Sequence, residues 1–348
     1  MASASTAAPA APGLDSFLYR HGLAARDEQA AWTPLAGGVS SDIWRVDLPG
    51  RSICVKRALP KLRVGSDWHA PVSRNRYEWE WLRLAAGIVP LSVPEPLAHD
   101  AELGLFAMSF LPGERYPVWK QQLLAGKVDL DTAARVGHLL ATLHNASAGS
   151  AEVAAAFDTT ENFRALRLDP YLVATGLRHP DLQPVLAALV ERTAQGRIAL
   201  VHGDVSPKNI LVGPDAPVLL DAECAWYGDP AFDIAFCLNH FLLKAVLLPQ
   251  HLEALLQAFE AMATSYLDDV RFEKRAGLEA RAACLLPALA LARIDGKSPV
   301  EYLVGRAFEQ DLVRSLARPL IAKPADSLAS IMDAWRSGVS KSLLPDRP

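Results

Sequence analysis

One segment, 200–235, constrains the fold more than any other part of the chain. Its polar loop ends at Asn209, and two apolar runs then follow, Ile210-Leu211-Val212 and Val218-Leu219-Leu220, on either side of a turn that contains glycine and proline. Such a run, turn and run predict a β-hairpin. The returning strand would place Asp221 beside Asn209, although twelve residues separate the two along the chain. The segment therefore predicts a fold in which a loop and a hairpin bring polar side chains together.

Three of the oxygen-bearing side chains in this segment are spaced so that they meet around the hairpin. Asp204 comes five residues before Asn209, and Asp221 follows on the returning strand. In such a layout one carboxylate receives a hydroxyl proton, while an amide oxygen and a second carboxylate hold magnesium. Mg²⁺ is a hard cation that keeps several waters, so that two protein ligands and phosphate oxygens suffice. The spacing predicts a site for phosphoryl transfer from a nucleoside triphosphate.

The same segment resembles the catalytic segment of the aminoglycoside phosphotransferase and choline kinase superfamily, a relative of the protein kinases. HGDVSPKN is similar to the HGDxxxxN signature of that family, LLDAECA to its metal-binding motif, and GDPAFDIA to the structural motif that follows. The resemblance implies that Asp204 is the catalytic base and that Asn209 and Asp221 bind Mg²⁺. It also implies that Asp233 braces the catalytic loop, and we expect His202 to hold that loop by hydrogen bonds.

The stretch 32–55 predicts the nucleotide-binding strands, because it reads as strand, glycine turn, strand, turn and strand. Glycines allow the backbone to approach phosphates, and a small hydroxyl adds a donor. The family resemblance implies that the turn is the phosphate loop and that Lys56 pairs with the α- and β-phosphates of ATP. We expect the Lys56 ammonium to be solvated. The predicted contacts of the turn are Gly37, Gly38, Ser40 and Ser41.

The resemblance further implies a helix glutamate that orients Lys56. An amphipathic stretch, 75–83, supplies Glu78, which lies four residues before Leu82 as in the family pattern. Glu80 is the alternative, because one turn of phase error exchanges the two. The connection 57–77 is longer than usual and forms either a lid or an ordered surface loop.

An apolar strand that ends in Pro-Gly, 106–114, suits a connector between lobes. It resembles the family hinge, where the adenine edge bonds to the backbone. By that resemblance Met108 lies at the nucleotide, and the carbonyl of Ser109 and the amide of Leu111 face the adenine.

The chain beyond residue 236 predicts helices at 250–267, 276–294 and 305–317, and the superfamily places its acceptor pocket among such helices. Acidic groups near the site, among them Asp229, suit an amine-bearing acceptor, whereas basic ones suit a carboxylate or phosphate. A helix that ends at Gly296 and another that begins near Pro299 would expose the charges at 291–302 together. These charges fit equally well two capped helix ends with solvated side chains. The candidate acceptor residues are Glu223, Trp226, His240, Arg293, Asp295 and Lys297.

Composition narrows the class of protein. The chain has 348 residues, of which 51% are hydrophobic and 21% charged, as in ordinary soluble globular proteins. Its net charge of −4 argues against nucleic acid as a partner, and no apolar run is long enough for a membrane span. The four cysteines form no CxxC pair, so neither a zinc site nor a redox motif is indicated. We expect a cytoplasmic protein with a disordered tail at 1–13, since the tail lacks signal-peptide features.

These observations predict an α+β, protein-kinase-like bilobal fold. The smaller lobe, with an antiparallel sheet and the hinge, would occupy 14–111, and the larger helical lobe 112–348. The predicted function is ATP- and Mg²⁺-dependent phosphorylation of a hydroxyl group on a small molecule, an amino alcohol or amino sugar. The alternatives are a kinase for a carboxylate-bearing or sugar metabolite and a non-catalytic nucleotide-binding protein. A protein substrate is not expected, because the chain lacks HRD and APE motifs.

Overall fold

A five-stranded antiparallel sheet forms the smaller lobe of the computed structural model, which describes residues 14–35, 41–59 and 72–343. The strand order is β1-β2-β3-β5-β4. Helix α1, Leu14–Arg20, packs its apolar side onto this sheet. The strands are β1 (Ala31–Pro34), β2 (Ser41–Leu48), β3 (Arg51–Ala58), β4 (Pro96–Asp100) and β5 (Leu105–Ser109).

Strand β3 carries the functional lysine because its side chains alternate between the two faces of the sheet. Ile53 and Val55 point into the apolar core that α1 covers. Cys54 and Lys56 point to the other face, which lines a cleft. The register of Lys56 follows from this alternation.

Helix α2, Arg74–Ile88, lies between β3 and β4 in the chain and contacts both the sheet and the larger lobe. Its Trp79 stacks on His99 of β4, with 5.5 Å between ring centroids. Its Trp81 contacts the ring of His202 edge-on, with 4.8 Å between ring centroids, and His202 belongs to the larger lobe. The helix is therefore held from both sides, which fixes the position of the glutamate it carries.

Helices make up most of the larger lobe. Helix α9 is its centre, because all of its residues but the last are buried, and α10 and α11 pack on it while α10 also packs on α4. The predicted helices at 250–267, 276–294 and 305–317 are confirmed as α10, α11 and α12. The helices beyond α2 are α3 (Trp119–Leu124), α4 (Leu130–Ser147), α5 (Ala151–Ala156), α6 (Thr160–Phe163), α7 (Ala174–Arg178), α8 (Gln183–Gln195), α9 (Ala231–Leu247), α10 (Leu252–Asp269), α11 (Arg275–Asp295), α12 (Ala307–Ala322) and α13 (Leu328–Leu343).

The boundary after α11 differs in part from the prediction. The helix ends as predicted, with Gly296 as its C-cap. The next helix was predicted to begin near Pro299, but only a 3₁₀ turn, Glu301–Leu303, precedes α12. The turn places its side chains back over α9.

The predicted catalytic hairpin is confirmed. Strand β7 (Ile210–Val212) pairs antiparallel with β8 (Pro217–Leu219), and a second two-stranded sheet joins β6 (Ala199–Val201) to β9 (Trp226–Gly228). The amide of Leu220 donates to the carbonyl of Asn209 at 2.9 Å and so closes the base of the hairpin.

A π-helix, Arg164–Val173, was not predicted. It continues directly from α6 and contains Pro170, which has no backbone N–H and cannot make the regular helical bond. The wider turn accommodates this loss, and the helix directs Arg167 inward.

None of the helices in the described ranges has the length and apolar character needed to cross a bilayer. The predicted tail at 1–13, the residues Gly37, Gly38 and Ser40, and most of the connection 57–77 lie outside the described residues.

Candidate active site

A cleft of about 410 Å³ lies between the sheet and the helical lobe. Lys56 lies on its upper wall, and the strand end predicted as the hinge supplies the back. Asn209 and Asp221 reach it from below. Of the predicted hinge contacts, Met108, Ser109 and Leu111 all line this cleft. Ser41 is the first residue of β2 and is buried.

Lys56 lies between two carboxylates. Its Nζ donates to Glu78 Oε1 at 2.7 Å and also contacts Asp221 Oδ1. Glu80, the alternative to Glu78, instead pairs with Arg83 on the same helix. Lys56 is only 2% exposed, so the expectation of a solvated ammonium is wrong. Burial opposes its charge, but the charges of Asp221 and Glu78 outweigh burial and raise the pKa of Lys56.

The two carboxylates respond differently to this shared cation. Burial raises the pKa of Glu78 to about 8, more than the charge of Lys56 lowers it. The pKa of Asp221 is lowered instead, because Lys56 and then Lys208 outweigh its burial. Asp221 is therefore the more acidic of the two carboxylates at this end of the cleft.

Asp204 lies directly behind Asn209 and is held by cations. Its Oδ2 accepts from Asn209 Nδ2 at 2.8 Å and lies 2.9 Å from Arg167 Nη2 and 3.1 Å from Lys208 Nζ. Burial raises the pKa of Asp204, but the charges of Arg167 and Lys208 outweigh it and keep the pKa below its ordinary value. The carboxylate is thus ionised and ready to accept a proton.

The loop that carries Asp204 is tied to α9 through Asp233. The amides of His202 and Gly203 donate to the two Asp233 oxygens at 2.7 and 2.8 Å, and His144 Nε2 lies 3.2 Å from the same carboxylate. His202 Nδ1 accepts from the Asp204 amide at 3.2 Å. Several backbone donors on one carboxylate make a strong local anchor. The placement agrees with the bracing roles predicted for His202 and Asp233.

The chemistry of Asn209 and Asp221 fits Mg²⁺. Within the described residues, no group of three or more His, Cys, Asp or Glu is placed to hold a metal ion. The Asn209 amide nitrogen donates to Asp204, which leaves its carbonyl oxygen to face a cation. Asp221, ionised at the same end of the cleft, offers a second hard oxygen. Two such ligands are sufficient when phosphates and waters complete the shell.

The predicted acceptor residues do not share one environment. Glu223 is buried and accepts from Arg74 Nε at 2.9 Å, and both oxygens of Asp295 are held by Arg314 at 2.7 and 2.9 Å. Trp226 is fully buried and donates from Nε1 to Thr160 Oγ1 at 3.1 Å. Lys297 is exposed at the surface.

His240 and Arg293 are buried close to each other and belong to a different group of side chains. His240 Nδ1 lies 3.2 Å from the hydroxyl of Tyr302, and Arg293 Nη1 donates to the hydroxyl of Tyr171 at 3.1 Å. The charge of Arg293 is one of the causes that lower the pKa of His240. These two candidates lie together, whereas the other four are dispersed.

Sequence reasoning missed two cations. Arg167 holds both Asp204 and the Gly203 carbonyl, the latter at 2.6 Å, yet it lies in a stretch with no recognised motif. Lys244 lies one helical turn after His240 and is completely buried. A lysine among the apolar residues of α9 was the available signal for the second, because a central helix seldom buries a charge without a function.

The chain matches the model of a protein family described as "Phosphotransferase enzyme family" over residues 31–272. Its similar curated relatives include two methylthioribose kinases. That of Pectobacterium atrosepticum is 29% identical over 271 residues, which are 68% of this chain and 66% of that protein. That of Yersinia enterocolitica is 30% identical over 230 residues, 58% of this chain and 57% of that protein. The chain thus spans between about half and two thirds of the length of these relatives.

Similar solved structures show lower sequence identity. A choline/ethanolamine kinase family protein from Mesorhizobium loti is 15% identical with a TM-score of 0.49, covering 90% of this chain and 94% of that one. A macrolide 2′-phosphotransferase from Brachybacterium faecium is 19% identical with a TM-score of 0.46, covering 96% and 100% of the two chains.

Proposed function

The chain belongs to the phosphotransferase enzyme family, and we propose from this premise that it transfers the γ-phosphoryl group of ATP to a hydroxyl group of a small molecule. One observation carries the proposal. Lys56, Asn209 and Asp221 converge at one end of the cleft, and Asp204 lies in hydrogen-bond contact with Asn209. A non-catalytic nucleotide-binding protein has no need of this complete set.

Each side chain has a role in the transfer. Asp204 accepts the hydroxyl proton as the acceptor oxygen bonds to the γ-phosphorus, and the bond from that phosphorus to the bridging oxygen of ADP breaks. Arg167 keeps Asp204 ionised and oriented. Lys56 pairs with the α- and β-phosphates, and Glu78 orients it. Asn209 and Asp221 would hold Mg²⁺, which supplies neutralisation of phosphate charge when bound.

We propose a sugar-like alcohol as the acceptor, and the similarity to methylthioribose kinases supports this class. The prediction of an amine-bearing acceptor rested on three carboxylates. Glu223 pairs with Arg74, Asp295 with Arg314, and Asp229 makes two bonds to Arg281 at 2.8 and 3.1 Å. Since these acids already have cationic partners, they give little support to an amine, which stays an untested alternative.

The test measures ADP release with ATP and Mg²⁺ across a panel of small alcohols and sugars. Asp204→Asn keeps the shape of the side chain but cannot take a proton, so we expect turnover to fall by roughly 10²–10⁴-fold. The matched control is Asp215→Asn, at an exposed residue of the hairpin turn, which should leave turnover unchanged. Near-normal turnover in Asp204→Asn would remove Asp204 from the mechanism. Absence of acceptor-dependent ADP release across the panel would count against the transfer itself.

A further inference from the structure

A buried group of basic side chains lies on the helical side of the site. It consists of His240, Lys244 and Arg293, and we call it the cationic cluster after its lysine and arginine. Lys244 is 0% exposed, and its Nζ has no hydrogen-bond partner in the part of the chain that the structure describes. His240 Nε2 and Arg293 Nε are likewise buried without a partner. The Lys244 ammonium lies 4.8 Å from the centre of the Tyr302 ring, a cation–π contact. Three neighbouring side chains therefore retain buried nitrogen atoms without a partner among the described residues.

The cationic cluster is continuous with the catalytic residues. The guanidinium of Arg293 lies 5.6 Å from the centre of the Tyr171 ring, and that of Arg167, which holds Asp204, lies 5.7 Å from the same ring. One aromatic ring thus separates Arg293 from the residue at the catalytic carboxylate.

The charges that act on His240 also indicate that the cationic cluster lies near the cleft. Burial lowers the pKa of His240 well below its ordinary value, and the charges of Lys244, Arg293, Lys208 and Lys120 lower it further. Lys208 and Lys120 line the cleft itself. Lys208, whose charge acts on His240, also lies 3.1 Å from Asp204, so the cationic cluster and the catalytic carboxylate share a neighbouring cation.

Lys244 itself has no acidic partner among the described residues. No ion pair there joins it to a carboxylate, and the one carboxylate whose charge acts on it, Glu301, bonds to Lys120 at 2.7 Å. An ammonium buried without a hydrogen bond or counter-ion destabilises the folded state. Burial and the charges of Lys120 and Arg293 lower the pKa of Lys244 to about 7, although Cys237 and Glu301 oppose the shift. A protein retains such an unfavourable buried group where the group takes part in binding.

We propose that the cationic cluster binds an anionic group of the acceptor, a carboxylate or a phosphate, while the acceptor hydroxyl lies at Asp204. The inference rests on the proposed function and narrows it to acidic alcohols, such as hydroxy acids or phosphorylated sugars. Lys244 supplies the buried charge, and Arg293 and His240 supply directed donors. Tyr171 and Tyr302 hold these donors in place.

The first experiment measures anion binding directly. Inorganic phosphate is titrated into the protein in the presence of Mg²⁺ and a saturating non-hydrolysable ATP analogue, at constant ionic strength with sodium chloride. Lys244→Met keeps the length of the side chain and removes its charge, and Lys274→Met, at an exposed lysine, is the matched control. We expect phosphate to bind the parent and the control, and to bind Lys244→Met at least tenfold more weakly.

Stability separates binding from packing. Lys244→Met removes an uncompensated buried charge, so we expect its melting temperature without phosphate to exceed that of the parent. Equal phosphate affinity in the parent and Lys244→Met would overturn the proposal. If the variant also melted at a lower temperature than the parent, Lys244 would be a packing residue.

The second experiment compares acceptors of matched size. ADP release is measured with glycerate, glycerol and ethanolamine, and with glucose 6-phosphate and glucose. We expect an acidic member to be used best, and Lys244→Met to raise its KM at least tenfold while the KM for ATP stays constant. Better use of a neutral or amine member would overturn the anionic class. Phosphate binding that depends on Lys244 without turnover of any compound would instead contradict the proposed function and leave the anion site standing.

Discussion

At the scale of single residues, the contact between Arg167 and Asp204 controls the protonation of the site. Asp204 is 2% exposed, and burial alone would favour its neutral form. The guanidinium 2.9 Å away reverses this preference and lowers the pKa of the carboxyl group. A base must be ionised to accept a proton, so the contact widens the pH range of activity toward acid.

Arg167→Gln tests this contact. The variant retains hydrogen-bonding capacity but removes the charge, so the pKa of Asp204 should rise. Activity is lost as pH falls through that pKa, and we therefore expect the acid limb of the kcat/KM profile to move to higher pH. The measurement is the pH dependence of ADP release, with Arg164→Gln on the same π-helix as control, since Arg164 pairs with Asp169 and Glu191 at the surface. A lower rate with an unmoved acid limb would show that Arg167 acts only on position.

At the scale of elements, the catalytic loop packs closely between α9 and the segment that follows β8. Asp233 holds its amides from below, and Gly203 has a φ of +78°. A β-carbon at Gly203 would lie 2.6 Å from the carbonyl oxygen of Cys224, a backbone atom that cannot move away easily. Close backbone approach, together with the left-handed conformation, requires glycine here.

A matched glycine separates these two causes. Gly104 has a φ of +62°, but a β-carbon there would meet nothing within 4 Å. Gly104→Ala should therefore cost only the left-handed conformation, about 1–2 kcal/mol in the free energy of unfolding. Gly203→Ala should cost roughly 1–3 kcal/mol more, because it also overpacks the loop. Urea denaturation of both variants measures the difference, and equal losses would show that the Cys224 contact relaxes freely.

At the scale of the whole molecule, the two lobes meet at the site proposed for the nucleotide. Lys56 from the sheet and Asp221 from the helical lobe form one ion pair, so phosphates bound there would contact elements that are distant along the chain. A ligand that binds only the native state stabilises it by mass action, by about 2.7 kcal/mol at a hundred times its Kd.

We expect ATP with Mg²⁺ to raise the melting temperature. Asp221→Ala should abolish the part of this shift that depends on Mg²⁺, because it removes a ligand, while Asp215→Ala should retain the whole shift. Differential scanning fluorimetry with ATP, GTP, Mg²⁺ and EDTA provides the measurement. If neither nucleotide changes the melting temperature with Mg²⁺ present, the nucleotide site is assigned wrongly.

Local patterns were enough to predict several features. The run, turn and run at 210–220 predicted the hairpin that carries Asp221, and the family resemblance selected Lys56 at the end of a predicted strand, which lines the cleft in the structure. Spacing and the family resemblance selected Glu78, which contacts Lys56 in the structure. The strands and the helix that carry these residues could be predicted because their side-chain periodicity depends only on residues close together in the sequence.

The sequence by itself thus determined the two-lobed α+β architecture and the residues that meet in the cleft. Only the tertiary structure decided which charges neutralise one another. Arg167 reaches Asp204 across 37 residues, Glu223 is neutralised by Arg74 across 149, and Lys244 pairs with no acid of the described residues. The physical reason is that an ion pair depends on distance in space, and no local pattern encodes the packing that brings distant side chains together.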